Sequence, residues 1–114
     1  MRLKTALWVA AYLRRCQVEG LSAVVRQRGA EEAGAVFVRV SRLDGTSDLF
    51  GPAPQSAFDA AEAAARAFTP SLAAAKPDAE VEAYLVRQIK FDPDLWIVEV
   101  EDRAGRNFLD IVAG

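Results

Sequence analysis

The residues whose types and spacing come nearest to chemistry are Pro93-Asp94 and Glu99-Val-Glu101. Metal-dependent nucleases use Pro-Asp followed on a strand by an acid-x-lysine. The carboxylates hold a hard cation, and the lysine activates water or steadies the transition state. Here the lysine position is Glu101, and Asp94 stands close before Glu99. The pattern is incomplete, so these carboxylates are read as solvated or paired. Arg39 and Glu99 each lie where an apolar strand face turns charged, after Phe37 in one case and after Leu95 and Ile97 in the other. A cross-strand pair between them is the economical expectation. Gln88 falls inside an apolar helical stripe, where it must find partners. Asp102 opens Asp102-Arg-Ala-Gly-Arg106, a polar turn with one glycine and no following helix, unlike a phosphate cradle. The candidate polar cluster is therefore Arg39, Gln88, Glu99, Glu101 and Asp102, with no catalytic, cofactor or metal residue assigned.

Composition removes whole classes of function. The chain has 114 residues, one cysteine and no histidine. That excludes disulfide frameworks, Cys/His zinc sites and nucleophiles activated by histidine. An all-carboxylate metal site stays open. The net charge of −2 is unevenly spread. Residues 1–42 carry eight Arg/Lys against three Glu, a balance of +5, and residues 43–114 carry six against thirteen, a balance of −7. Two halves that fold together and pair their charges explain this most simply. A basic face for a polyanion, built on the N-terminal arginines, is the competing reading.

The elements that must position these residues follow in order. Thr5 is expected to cap a helix over roughly 6–19 that is buried on more than one side, with Val9, Tyr12, Leu13 and Cys16 on one face and Leu7, Ala11 and Val18 on another. Cys16 is read as a core thiol, and Gly20 stops the helix. Strands are expected over 22–28 and 35–41, joined by Gly29-Ala-Glu-Glu-Ala-Gly34 as a long hairpin. Asp44-Gly45 then turns into a third strand near Asp48-Leu-Phe50. Residues 57–65 are assigned a helix or helical turn on propensity, Arg66-Ala-Phe68 has an edge strand as an alternative, and 71–77 is read as loop. Asp78 caps a second helix running to about Lys90, with Val81, Tyr84, Leu85, Ile89 and Phe91 on its apolar side. Asp92-Pro93-Asp94 stops it, the two aspartates satisfying free backbone donors in the turn. Leu95 to Val100 is the strongest strand in the chain, around which the rest should pack. Trp8 and Trp96 are read as core.

Tyr84-Leu-Val-Arg-Gln88 and Asp92-Pro-Asp-Leu-Trp-Ile-Val-Glu-Val-Glu-Asp-Arg-Ala-Gly-Arg106, with Leu7-Trp8 and Leu13-Arg-Arg15, carry a resemblance. The chain resembles a family of short alphaproteobacterial proteins known as domain of unknown function 1491. The resemblance spans nearly the whole chain and is most specific from Tyr84 to Arg106. It implies a bacterial cytosolic protein, and it brings no activity, cofactor or site residue.

The expected fold is α+β, a single domain over residues 1–114. Its order is a helix, a three-stranded antiparallel meander, an irregular or helical link, a helix and a final strand, with both helices on one sheet face. The expected function is a non-catalytic module binding a protein or a small molecule, with no cofactor. The alternatives are a carboxylate/arginine metal-dependent hydrolase of nuclease type and a polyanion binder. The apolar run Ala6–Leu13 is short and ends in two arginines, unlike a signal peptide, and no run approaches a membrane span. A cytoplasmic monomer or homodimer that binds neither membrane nor nucleic acid is the expectation.

Overall fold

The computed structural model describes residues 4–54 and 66–112. Helix α1 (Thr5–Val18) leads into β1 (Ser22–Gln27), β2 (Val36–Ser41) and β3 (Thr46–Pro52). Short strands β4 (Phe68–Pro70) and β5 (Lys76–Pro77) precede helix α2 (Asp78–Phe91) and strand β6 (Trp96–Glu101). The strands form one mixed sheet in the order β1-β6-β2-β3-β4, with β5 also pairing to β3. The class is α+β. The helix expected over 57–65 lies outside the described residues.

The meander is only half present. Strands β2 and β3 form the expected antiparallel hairpin, with Val38 opposite Phe50 and Ser41 opposite Ser47. Strands β1 and β2 are not neighbours, because β6 fills the slot between them, antiparallel to β1 and parallel to β2. The loop from Gly29 to Gly34 makes this possible. Strands two apart in a sheet are separated by about 10 Å, a span that six residues cross and a tight turn does not. The loop also grips the incoming strand. The Ala30 N–H donates to the Asp94 carbonyl at 2.8 Å, and the Trp96 indole donates to the Ala30 carbonyl at 2.8 Å. A Cβ at Gly29 would lie 2.1 Å from the Asp94 carbonyl oxygen, so that position must be bare.

The helices cover opposite faces of the sheet, correcting the expectation of one shared face. In β2, Val36, Val38 and Val40 point one way, and with Trp96, Val98 and Val100 of β6 they pack on Val9, Tyr12 and Cys16 of α1. Phe37, Ile97, Leu95 and Leu49 point the other way and pack on Val81 and Leu85 of α2. Both central strands are apolar on both sides where they are deepest, so each side needs a cover. Strand β6 is correspondingly the heart of the sheet, and its Trp96, Ile97, Val98 and Val100 are at most 1% exposed.

Several local expectations change with this arrangement. Helix α1 buries one face only, since Leu7, Ala11 and Val18 are exposed. Thr5 is the first helical residue and does not act as its cap. It is buried, and its hydroxyl donates to the Gly34 carbonyl at 3.1 Å. The Thr5 and Ala6 N–H groups donate to the Glu32 and Glu31 carbonyls, so the 29–34 loop satisfies the helix start. Asp78 likewise stands just inside α2, whose N-cap is Pro77. Phe91 is 86% exposed and does not join the apolar side of α2. The edge-strand alternative near Phe68 is realised in β4, and part of the loop expected over 71–77 is β5.

Candidate functional site

Among the described residues, two concave regions stand out where the core ends, one beside α2 and one along the outer edge of β3. The first lies beside the N-terminal half of α2. In the parallel β2–β6 register Arg39 stands directly beside Glu99, as its strand face suggested, and their charged groups are 3.5 Å apart. The pair belongs to a larger set. Arg39 also reaches Asp78 at 3.2 Å and Glu82 at 3.3 Å, and its Nε donates to the Ser47 hydroxyl. That hydroxyl donates in turn to Asp78. Arg26 binds Glu82 through both guanidinium nitrogens, Nη1 at 2.8 Å, and touches Glu99 at 3.4 Å.

Local structure explains why these groups meet. The β1–β6 register slips between Val25 and Gln27, a bulge that leaves Arg26 unpaired in the ladder and turns it over the face covered by α2. Asp78 and Glu82 are four residues apart, so both look down on the same patch of sheet. Their position in the first turns of α2 also suits the helix dipole. The hydrogen bonds from Arg26 hold the Glu82 carboxyl below its ordinary value. Two arginines and three carboxylates thus clamp α2 to β1, β2 and β6. Beside them a cleft of about 430 Å³ opens over Ser22, Val24, Ser41 and Glu101.

The five predicted residues do not all converge. Arg39 and Glu99 are in the clamp, and Glu101 lies at the open end of the cleft, exposed. Gln88 is half-buried farther along α2, outside the clamp, and its carbonyl accepts the Asp92 N–H. Asp102 turns away from the cluster. It is buried, its backbone N–H donates to the Ser41 carbonyl, and its carboxylate binds the Arg106 guanidinium and the Arg106 N–H. Those bonds hold its carboxyl below the usual range. Asp94 accepts from Ala30 through its backbone carbonyl, while its own N–H donates to the Asp92 side chain at 3.1 Å, so the expected turn chemistry is met by the Asp92 side chain and not by that of Asp94. Among the described residues no group of three Cys, Asp or Glu is arranged to hold a metal ion.

The second region lies along the outer edge of β3 and was not visible in sequence. Strand β4 pairs with β3 from Phe50 to Pro52, and β5 pairs at Thr46 and Ser47. The chain between them arches away and leaves a pocket of about 410 Å³. Leu49, Phe50, Pro70, Leu72, Ala73 and Ala74 form its walls, with Gly105 and Asn107 at the rim. Its charges are Arg42 and Asp48, which close on each other. The Arg42 Nε and Nη2 donate to Asp48 at 3.2 and 2.8 Å, and the Ala75 N–H donates to the same carboxylate at 2.7 Å. Ala75 pays for that contact with a left-handed backbone, φ 55°. The Arg42 Nη1 has no protein partner among the described residues.

Cys16 is buried and burial pushes its thiol up, the ordinary behaviour of a core cysteine. The Tyr12 phenol is pushed up too, first by burial and then by Cys16, and its hydroxyl donates to the Asn107 carbonyl at 2.7 Å. Trp96 is core, while Trp8 is half-buried and stacks on Tyr12 at 5.0 Å. No described helix is long and apolar enough to cross a membrane.

The model of the family described as protein of unknown function (DUF1491) matches residues 3–110, and the chain belongs to that family. Solved relatives share the fold. A crystal structure of a DUF1491 family protein from Caulobacter crescentus is 36% identical, covering 99% of this chain and 100% of its own, with a TM-score of 0.80. A solution structure from A. tumefaciens is 42% identical, covering 100% and 98%, with a TM-score of 0.82. No curated protein matches significantly.

Proposed function

We propose that the chain is a non-catalytic module that binds a small, neutral, largely apolar molecule in the pocket along the β3 edge, in the bacterial cytoplasm. One observation carries this reading: the pocket is walled by aliphatic, aromatic and alanine side chains, and its two charges neutralise each other. Concave apolar sites with few polar groups are the usual form of small-molecule sites. The spare Arg42 Nη1 supplies a donor at the polar end, so a ligand carbonyl or amide oxygen fits better than a carboxylate, which Asp48 would repel. A carboxylate/arginine hydrolase is the weaker reading. A general acid or base works best with a pKa near the operating pH. Here arginine bonds hold Glu82 and Asp102 below the usual carboxylate values.

A thermal-shift screen separates the two, because a ligand of the native state stabilises it by mass action. Neutral aromatic or aliphatic amides and ketones are expected to raise the melting temperature of the wild type and to lose that effect in Ala74→Trp, which fills the pocket from an exposed position. A magnesium- or manganese-dependent rise that disappears in Glu99→Gln would favour the hydrolase instead.

A further inference from the structure

Resting on the small-molecule reading of the β3-edge pocket, we infer that Arg42 Nη1 and Asn107 Nδ2 hold one carbonyl oxygen of its ligand between them. Asn107 is then a specificity-determining residue, and the ligand is a ketone, ester or lactone in preference to a primary amide or an acid. A polar group shut away from water needs a partner. Asp48 engages both of its oxygens, Oδ1 accepting the Ala75 N–H at 2.7 Å and Oδ2 the Arg42 Nη2 at 2.8 Å. The Asn107 Oδ1 is occupied by the Leu109 N–H at 2.8 Å. Two side-chain donors are left over around the polar end of the pocket, Arg42 Nη1 and Asn107 Nδ2, each without a partner among the described residues. Neither Asp48 nor Asn107 has an oxygen without a bond.

Both donors are fixed by the chain around them. Asp102 binds the Arg106 guanidinium and N–H and so sets the turn between them, in which Gly105 has φ 75°. A Cβ at Gly105 would lie 3.0 Å from the Arg42 Cζ and Nη2, so the bare backbone of the turn packs on the guanidinium. Asp48 anchors Nε and Nη2 of that group, and Nη1 is the end that remains. Two residues past Gly105, Asn107 is tied twice, its backbone carbonyl accepting the Tyr12 hydroxyl at 2.7 Å and its Oδ1 the Leu109 N–H. Donors ordered before the ligand arrives cost little further ordering on binding. A carbonyl oxygen has two lone pairs and takes both donors. A primary amide brings N–H groups to an end where no side-chain oxygen is spare, and an unmet donor costs more than an ordinary hydrogen bond contributes. The apolar body of the ligand lies against Leu49, Phe50 and Leu72.

Acetophenone and benzamide share one shape, with a methyl in the ketone where the amide has its NH2. Chemical-shift titration of the full chain gives a dissociation constant for each, and the ketone is expected to bind more tightly. In Asn107→Asp the carboxylate keeps an oxygen for the Leu109 N–H and presents an acceptor where the side-chain NH2 stood. The ratio of the amide's constant to the ketone's is expected to fall about tenfold in that variant, a change on the order of one hydrogen bond. Apolar contacts common to the two compounds cancel in the ratio. In the wild type the Asn107 side-chain amide proton should move downfield with acetophenone and not with isopropylbenzene, which lacks the oxygen. That readout decides the matter if Asn107→Asp does not fold. A ratio unchanged by Asn107→Asp, or an Asn107 amide proton indifferent to acetophenone, overturns the inference. The pocket reading survives either result so long as Ala74→Trp abolishes the binding of both compounds. If neither compound binds, or if Ala74→Trp leaves binding intact, that reading falls and the inference falls with it.

Discussion

Arg39 is 13% exposed at its side chain, while Asp78, Glu82 and Glu99 around it are 34–44% exposed, so the clamp lies between a surface and a buried ion pair. Exposed pairs contribute about 0.2–1 kcal/mol, and breaking a buried one costs roughly 3–5 kcal/mol. Arg39→Met is therefore expected to destabilise the domain by about 1–3 kcal/mol, leaving Asp78 without its arginine and Glu82 and Glu99 with Arg26 alone. Glu82→Gln should lose part of that, and the double mutant should recover some of the sum, since the residues share one network. Urea denaturation of the four proteins measures the coupling, and strict additivity would show that Arg39 and Glu82 do not interact. The Arg39–Glu99 contact was legible because a strand face that turns from apolar to charged asks for an opposite charge beside it. Arg26 and Glu82 were not, because a bulge cannot be seen in alternation and an acid near the start of a helix already has a reason to be there.

At the scale of elements, the two long helices, the β2–β3 hairpin and the dominance of β6 could be read from period, turn residues and β-branched density. The place of β6 could not. Local pattern shows that Gly29 to Gly34 reverses the chain, but not that another strand enters the gap; that is a long-range choice made by two-sided burial of Leu95–Val100. Once β6 lies inside, its neighbours need covers on both faces, and the helices must separate. The sign was present in Phe37, Leu95 and Ile97, apolar residues on the face opposite the valines. The β3-edge pocket was hidden for a related reason, being made by two short strands with a gap between them. Gly29→Ala tests the insertion, because the added Cβ would meet backbone at the Asp94 carbonyl. Overpacking of this kind costs typically about 1–3 kcal/mol, and backbone that cannot move aside puts this site at the upper end. A Gly29→Ala protein as stable as wild type by urea denaturation would mean that the loop does not close on β6 as described.

For the molecule as a whole, the uneven charge of the two halves resolves into contact. Arg26 and Arg39 from the basic half meet Asp78, Glu82 and Glu99 from the acidic half across the α2–sheet interface. The polar cluster is consumed in holding the domain together, and the ligand is proposed for the neutral pocket at the opposite edge. Chemical-shift mapping puts that division to the most direct test. With isotope-labelled protein and an amide or ketone fragment that stabilises it, the largest changes should fall on Arg42, Leu49, Phe50, Leu72 and Asn107, with Arg39, Ser41 and Glu101 unmoved. Perturbations centred on Arg39, Glu99 and Glu101, with the β3 edge silent, would contradict it.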